Sequence, residues 1–275
     1  MSTEDIHHAI KEVRALLAKV DGLAKEISPS AGKMLRKELE FVADDLRERL
    51  TNLDPVRMPS AFFDPSNPSL FSTFAAVALI GQDKAPLRKV AEGKFYGSGI
   101  YAIYYAGSSQ IYSAISGTET PIYVGKAEPR GDHARSPKEQ GTTLSSRLDE
   151  HRKNIQRAEN LSIDDFECRH LVVASGWQAA AEKALIGLFH PLWNKETKIL
   201  QGFGKHGDSS STRRNTRSSW DVLHPGREWA RTNHVEDATT PAAIQAAVWA
   251  HFARHPPIQD VQQVLHDLLA RIRTD

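Results

Sequence analysis

The order in which strand and helix patterns follow one another between residues 97 and 200 constrains the fold of this chain more than any other feature. Segments rich in β-branched and aromatic residues predict strands, and amphipathic or Ala/Leu-rich segments predict helices. Predicted strands occupy residues 99–105, 121–125 and 166–174, and predicted helices occupy residues 143–158 and 178–189. The segment is therefore expected to fold in the order β-β-α-β-α.

Helical patterns flank this segment on both sides. Apolar residues spaced alternately four and three apart predict a helix from Ile6 to Ile27, and a similar stripe from Leu35 to Leu53 predicts a second. The break at 28–32 is expected to join them as an antiparallel hairpin. The hairpin can pack on its own chain or form a subunit contact, and the sequence leaves both open. Further helices are expected over 70–80 (buried), from Pro86 (short), and over 242–253 and 261–272.

The composition excludes several classes of protein. With 40% hydrophobic and 25% charged residues, the chain has the balance typical of a soluble globular protein. The longest apolar run, Phe74–Ile80, is too short to span a bilayer, and the polar N-terminus is unlike a secretory signal. The single cysteine, Cys168, excludes an internal disulfide and a Cys-rich zinc site. We therefore expect a cytoplasmic protein with no membrane segment.

Two predicted helices present side chains suited to phosphate chemistry. Glu182 shares a helix face with Leu185 and Phe189, and a carboxylate on an apolar face needs a partner, for which Mg²⁺ is suited. Arg147 and His151 lie four residues apart, so a guanidinium fork for phosphate and a proton-transferring imidazole share one face. Taken alone, a structural ion pair and a solvated helix face explain these patterns at least as well.

The two predicted strands that begin the core carry the tripeptides Gly99-Ile-Tyr101 and Tyr123-Val-Gly125. With Arg147, His151, Glu182 and Asn194 following in order, this pattern resembles the GIY-YIG nuclease superfamily over residues 97–200. Val124 replaces the usual Ile, and His151 stands where many members have Tyr. This histidine, the Trp193-Asn194 pair and the Arg/Gly/Ser-rich segment after them resemble the type II restriction endonucleases that cut CCGCGG.

The resemblance implies the fold class and the reaction. The fold is expected to be α+β, with a small three-stranded antiparallel sheet flanked by helices. The reaction is expected to be Mg²⁺-dependent hydrolysis of DNA at a palindromic GC-rich site, with Mn²⁺ able to substitute, leaving 5′-phosphate and 3′-hydroxyl ends. The expected partners are double-stranded DNA, a second copy in a homodimer or higher oligomer, and a cognate DNA methyltransferase in a bacterial host.

The resemblance also implies roles for individual residues. Glu182 is expected to hold the metal, and Arg147 to grip the scissile phosphate. Tyr101 is the candidate general base, provided that Mg²⁺ and an arginine lower its pKa. The remaining expectations are that Tyr123 positions water or phosphate, His151 transfers a proton, Lys126 neutralises phosphate and Asn194 braces the loop.

DNA contacts are expected from two basic segments. Residues 201–231 contain six Lys or Arg against three Asp or Glu, interleaved with tryptophan. Because arginine reads guanine through O6 and N7, this segment is the candidate groove-binding region. Residues 126–138 flank the site and are expected to cross the DNA backbone. The candidate DNA-binding residues are Arg130, Lys205, Arg213, Arg214, Arg217, Trp220 and Arg227.

The predicted organisation has five parts: a helical hairpin (1–54), a connector with the buried helix (55–96), the catalytic core (97–200), a basic loop region (201–240) and C-terminal helices (241–275).

Two other functions stay open. One is a GIY-YIG homing or repair nuclease, although no modular repeats or extra repair domains are visible. The other is a DNA-binding protein that does not cut, against which the complete set of site residues argues.

Overall fold

The computed structural model describes residues 3–24, 27–53, 56, 68–131, 133–204, 216–231 and 236–274. The chain divides into two compact units, residues 1–62 and 63–275. None of the described helices is long and apolar enough to cross a membrane.

The first unit contains helices α1 (Thr3–Ala24) and α2 (Pro29–Leu53), so both predicted helices form. α2 begins earlier than predicted, within the segment 28–32 that was expected to separate the two helices. Pro29 begins α2, and the Ser28 hydroxyl accepts a hydrogen bond from the Ala31 amide at 3.4 Å, which is helix-starting chemistry. Much of the described part of both apolar stripes is exposed, since α2 has no buried residue and Val13 and Leu17 on α1 are exposed, whereas Val20, Leu35 and Leu39 are half-buried. Their packing as an antiparallel hairpin stays a prediction.

The second unit is built on an antiparallel sheet of four strands, not the three that were predicted. The strands are β1 (Ala85–Pro86), β2 (Gly99–Tyr105), β3 (Tyr123–Ala127) and β4 (Phe166–Val172), in the order β1-β4-β2-β3. The additional strand, β1, pairs only two residues with Glu167 and Cys168. A strand this short leaves no alternating pattern in the sequence, and Pro86 directly precedes the expected short helix, a 3₁₀ turn at Leu87–Glu92.

Helices cover both faces of this sheet. The predicted β-β-α-β-α order is confirmed by β2, β3, α4 (Thr143–Arg157), β4 and α5 (Gln178–Phe189). Tyr101, Ile103 and Tyr105 face α4, whereas the intervening residues of β2 face α5 and the buried helix α3 (Pro68–Ile80). The later described helices are α6 (Ser219–Leu223), α7 (Glu228–Arg231), α8 (Pro241–Arg254) and α9 (Val261–Thr274).

An ion pair between a buried arginine and a half-buried glutamate lies on the α3 and α5 side of the sheet. The Arg169 guanidinium on β4 donates to Glu119 and, at 3.2 Å, to the hydroxyl of Tyr104. Lys84 approaches Glu119 from the other side at 3.0 Å. Burial alone would raise the pKa of Glu119, but Arg169 and Lys84 hold it below its ordinary value. The pair therefore fastens the loop before β3 to the centre of the sheet.

Removing the carboxylate of this pair should destabilise the second unit. Glu119→Ala takes the charged partner from the Arg169 guanidinium, so we expect a loss of about 1–3 kcal/mol in the free energy of unfolding, measured with urea. Arg88→Ala, which breaks the exposed pair with Asp164, is the control and should cost less than about 1 kcal/mol. Because the pKa of Glu119 is lowered, the difference from wild type should shrink as the pH falls through that pKa. Equal losses in the two variants would contradict this account.

Candidate active site

The candidate site lies at the β3 edge of the sheet, where α4 covers one face and α5 the other. A cavity of about 540 Å³ opens there. Its lining includes four of the residues proposed from the sequence, namely Tyr123, Lys126, Glu182 and Asn194. Side chains from both faces of the sheet therefore meet around one space.

The two tyrosines of the tripeptides are brought together by the strand register. Tyr101 pairs with Gly125 and Ile103 pairs with Tyr123, so both phenols project from the same face, with ring centres 6.2 Å apart. The glycine of the second tripeptide has a steric reason. A side-chain carbon at Gly125 would lie well within the van der Waals contact distance of the Tyr101 hydroxyl.

Tyr101 faces the protein interior and contacts His151. Its hydroxyl and Nε2 of His151 share a hydrogen bond of 2.6 Å, and both residues are buried. Burial raises the pKa of Tyr101 well above its ordinary value, and Tyr123 adds to this, whereas Arg147 opposes it. The protein itself thus favours the neutral phenol, contrary to the lowered pKa that a general base acting alone would need. Tyr123 is the phenol that lines the cavity.

Arg147 lies one turn before His151 on α4. Its guanidinium donates to Glu150 at 2.8 Å and to the backbone carbonyl of Gly204 at 2.9 Å. Burial alone would lower the pKa of Arg147, but Tyr101 and Glu150 hold this pKa above its ordinary value. This arginine is therefore a permanent positive charge beside the two tyrosines.

Glu182 reaches the cavity from α5 and is half-buried, while Leu185 and Phe189 on the same helix are buried as predicted. Burial raises the pKa of this carboxyl; Lys126 opposes the rise, and Glu196 and Glu128 add to it. A carboxylate in this setting gains from a cation. Within the described residues, no three acidic, His or Cys side chains are grouped to hold a metal. One carboxylate fits Mg²⁺, which takes most of its ligands from water and phosphate.

Asn194 and Lys126 complete the predicted set. The Asn194 amide pairs with the backbone of Val124, accepting from its N–H at 2.9 Å and donating to its carbonyl at 2.8 Å. This geometry supports the bracing role expected for Asn194. Lys126 lines the cavity and forms an ion pair with Glu128 at 2.6 Å.

The predicted DNA-binding residues have different settings. Lys205, Arg213 and Arg214 lie outside the described residues, so their assignment stays a prediction. Arg130 is exposed, as a DNA contact requires, whereas the Arg217 fork is bound by Asp237.

Trp220 and Arg227 require a correction, because both are buried and their side chains cannot lie on a duplex. Trp220 packs edge-on against Trp193, and Arg227 pairs with the buried Asp221 at 2.6 Å. Two residues around the site were missed by the sequence analysis. Lys195 lines the cavity next to Asn194, and Phe203 stacks on His151. The only sequence signal for Phe203 is an aromatic residue between two glycines.

The β2-β3-α4-β4-α5 unit, with two tyrosines, an arginine and a glutamate at one sheet edge, defines a GIY-YIG nuclease. A model of the Eco29kI GIY-YIG domain family matches residues 93–252, more than half of the chain. The chain therefore belongs to this family of restriction endonucleases. The match extends past the core expected from the sequence and into α8. No curated protein matches the chain.

The Tyr101 hydroxyl should matter for cleavage far more than its neighbour on the same strand. Tyr101→Phe removes the hydrogen bond to His151, and we expect single-turnover DNA cleavage to fall by about 10²–10⁴-fold, the usual contribution of a proton-transfer group. Tyr104→Phe is the matched control, since that hydroxyl is buried on the opposite sheet face. Cleavage by the Tyr101→Phe variant at the rate of the Tyr104→Phe variant would exclude a role for the hydroxyl.

Proposed function

We propose that the chain is a type II restriction endonuclease that hydrolyses DNA with Mg²⁺ at the palindrome CCGCGG and leaves 5′-phosphate and 3′-hydroxyl ends. The observation that carries this proposal is the meeting of Glu182 and Lys126 with Tyr123 in one cavity, directly beside Arg147 and His151. Family membership supports restriction over homing or repair. The presence of an acidic group, cations and a proton acceptor supports cleavage over DNA binding without chemistry.

The residues divide the work of phosphodiester hydrolysis. Glu182 holds Mg²⁺, which when bound stabilises negative charge on the phosphate and leaving oxygen; Mn²⁺ is expected to substitute. Arg147, oriented by its bond to the Gly204 carbonyl, donates to the phosphate oxygens. Lys126 adds positive charge, and Tyr123 orients the attacking water. The Tyr101 hydroxyl takes the proton that the water loses and passes its own proton to Nε2 of His151, with which it shares a hydrogen bond.

A palindromic site calls for two-fold symmetry, so we propose a homodimer with one active site per strand. The exposed apolar stripes of α1 and α2 are candidates for the contact, consistent with one of the two readings of the sequence. Sedimentation of the purified protein as a monomer with and without DNA would contradict the dimer. A cognate methyltransferase that protects the DNA of a bacterial host, in the cytoplasm, completes the proposal.

The direct test is cleavage of a plasmid that carries one CCGCGG site, followed by sequencing of the ends. Wild-type protein with Mg²⁺ should cut at this site, and a plasmid with one base pair of the site changed should stay intact. Glu182→Gln should lose cleavage by about 10³-fold or more, since loss of the metal ligand removes several kcal/mol of transition-state stabilisation, but should still bind the duplex. Because metal must displace the proton on Glu182, the wild-type rate should rise with pH through the pKa of this group.

Three results would contradict parts of the proposal separately. Cleavage at another fixed sequence overturns the CCGCGG assignment but does not affect the proposed mechanism of hydrolysis. Cleavage by Glu182→Gln at the wild-type rate overturns the metal ligand. Specific binding by the wild type without cleavage under any divalent cation overturns the endonuclease assignment.

A further inference from the structure

A Gly-Phe-Gly segment, residues 202–204, lies directly against the catalytic side chains. The ring of Phe203 stacks on the His151 imidazole, with centres 4.6 Å apart and planes 20° from parallel. The same ring meets Tyr123 edge-on at 5.1 Å, and it is fully buried. The next carbonyl, of Gly204, accepts the hydrogen bond from Arg147. The orientation of two catalytic side chains thus depends on where this segment lies.

Arg227 holds the Gly-Phe-Gly segment in place. Its guanidinium donates to the carbonyl of Gly202 at 3.0 Å and reaches that of Phe203 at 3.5 Å. The Nε edge of the guanidinium donates to Asp221 at 2.6 Å, and its Cζ atom lies 4.6 Å from the ring centre of Trp220. A planar fork with five fixed donors orients two peptide carbonyls and one carboxylate together, which a lysine cannot do.

The burial of this ion pair indicates a positional role. Arg227 and Asp221 are 2% and 0% exposed, and taking two charges out of water brings little net stability. The Gly204 position adds a steric restriction, because a side-chain carbon there would lie 2.7 Å from the Tyr123 hydroxyl. The Gly-Phe-Gly segment therefore lies so close to the site that no side chain fits at Gly204. The buried guanidinium of Arg227 holds the segment at this distance.

We propose that Arg227 is a positioning residue for DNA cleavage. It fixes the carbonyls of Gly202 and Phe203, so that the Phe203 ring holds the His151 imidazole and the Gly204 carbonyl orients Arg147 for phosphate. This inference rests on the proposed catalytic roles of His151 and Arg147. It replaces the DNA contact expected of Arg227 from the sequence.

The test compares two buried arginines. Arg227→Met and Arg169→Met each remove a buried arginine from an ion pair, but Arg169 lies on the other sheet face, with Tyr104. For both we measure the melting temperature, the affinity for a CCGCGG duplex in Ca²⁺ at two salt concentrations, and the single-turnover rate with Mg²⁺ at saturating enzyme. The cleavage assays are run at least 15 °C below the melting temperature of the less stable variant. This margin is about four times the change in melting temperature expected for each kcal/mol of lost stability.

We expect Arg227→Met to lower the single-turnover rate by about 10²-fold, the cost of a misplacement near 1 Å, with affinity and salt slope unchanged. Arg169→Met, which also removes a buried arginine, should cleave within about threefold of wild type. Arg227→Lys should fall between wild type and Arg227→Met. If the proposed function is wrong, the wild type and Arg169→Met will not cleave the duplex either. If only the positioning role is wrong, the wild type will cleave it, and Arg169→Met and Arg227→Met will cleave it at similar rates.

Other outcomes overturn the proposal. A salt slope lowered by about one in Arg227→Met means that Arg227 contacts a phosphate. Equal rate losses in both Met variants mean that Arg227 is structural only, and a faster rate means that the Gly-Phe-Gly segment screens Arg147 from DNA. If Arg227→Met does not fold, Phe203→Leu decides, since it keeps an apolar side chain but loses the stacked ring. Wild-type cleavage by Phe203→Leu overturns the proposal.

Discussion

The paired hydrogen bonds between the Asn194 side chain and the backbone of Val124 are the contact on which the site depends. β3 is the edge of the sheet, and the outward N–H and C=O of an edge strand need partners. The side-chain amide of Asn194 supplies both partners. Beside it, the backbone N–H of Trp193 donates to the carbonyl of Ile122 at 2.9 Å. Because this loop follows α5, the same bonds fix Glu182 relative to the tyrosines of β2 and β3. The cavity forms at that junction.

Side chains of opposite charge lie close together around this cavity, and their partial burial strengthens their electrostatic interactions. The carboxyl of Glu182 has a raised pKa, so a cation improves its environment, while Arg147 keeps its charge under all conditions. Behind them, Tyr101 and His151 share a buried hydrogen bond. Aromatic packing by Phe203 keeps that contact dry and aligned. Under the proposed roles, metal binding, phosphate binding and proton transfer belong to adjoining layers of one site.

The sequence predicted the parts of the fold that repeat with a regular period. The α5 helix and the strand with Tyr101 were predicted at their observed bounds, because their patterns are long and unbroken. β1 was missed, since two residues have no period. Trp220 and Arg227 were assigned to DNA because composition shows charge and not burial, and only tertiary packing reveals that Asp221 lies opposite. Phe203 was missed for the same reason, since stacking between distant segments leaves no local signal.

The location of the bound metal tests the central claim most directly. Titration of Mn²⁺ into isotope-labelled protein broadens the amide resonances of residues near the ion, and this readout does not depend on cleavage. The account predicts broadening centred on Glu182 and on Tyr123, Lys126 and Asn194 across the cavity, and its loss in Glu182→Gln. Broadening centred elsewhere, or unchanged in Glu182→Gln, would contradict a metal site at the β3 edge.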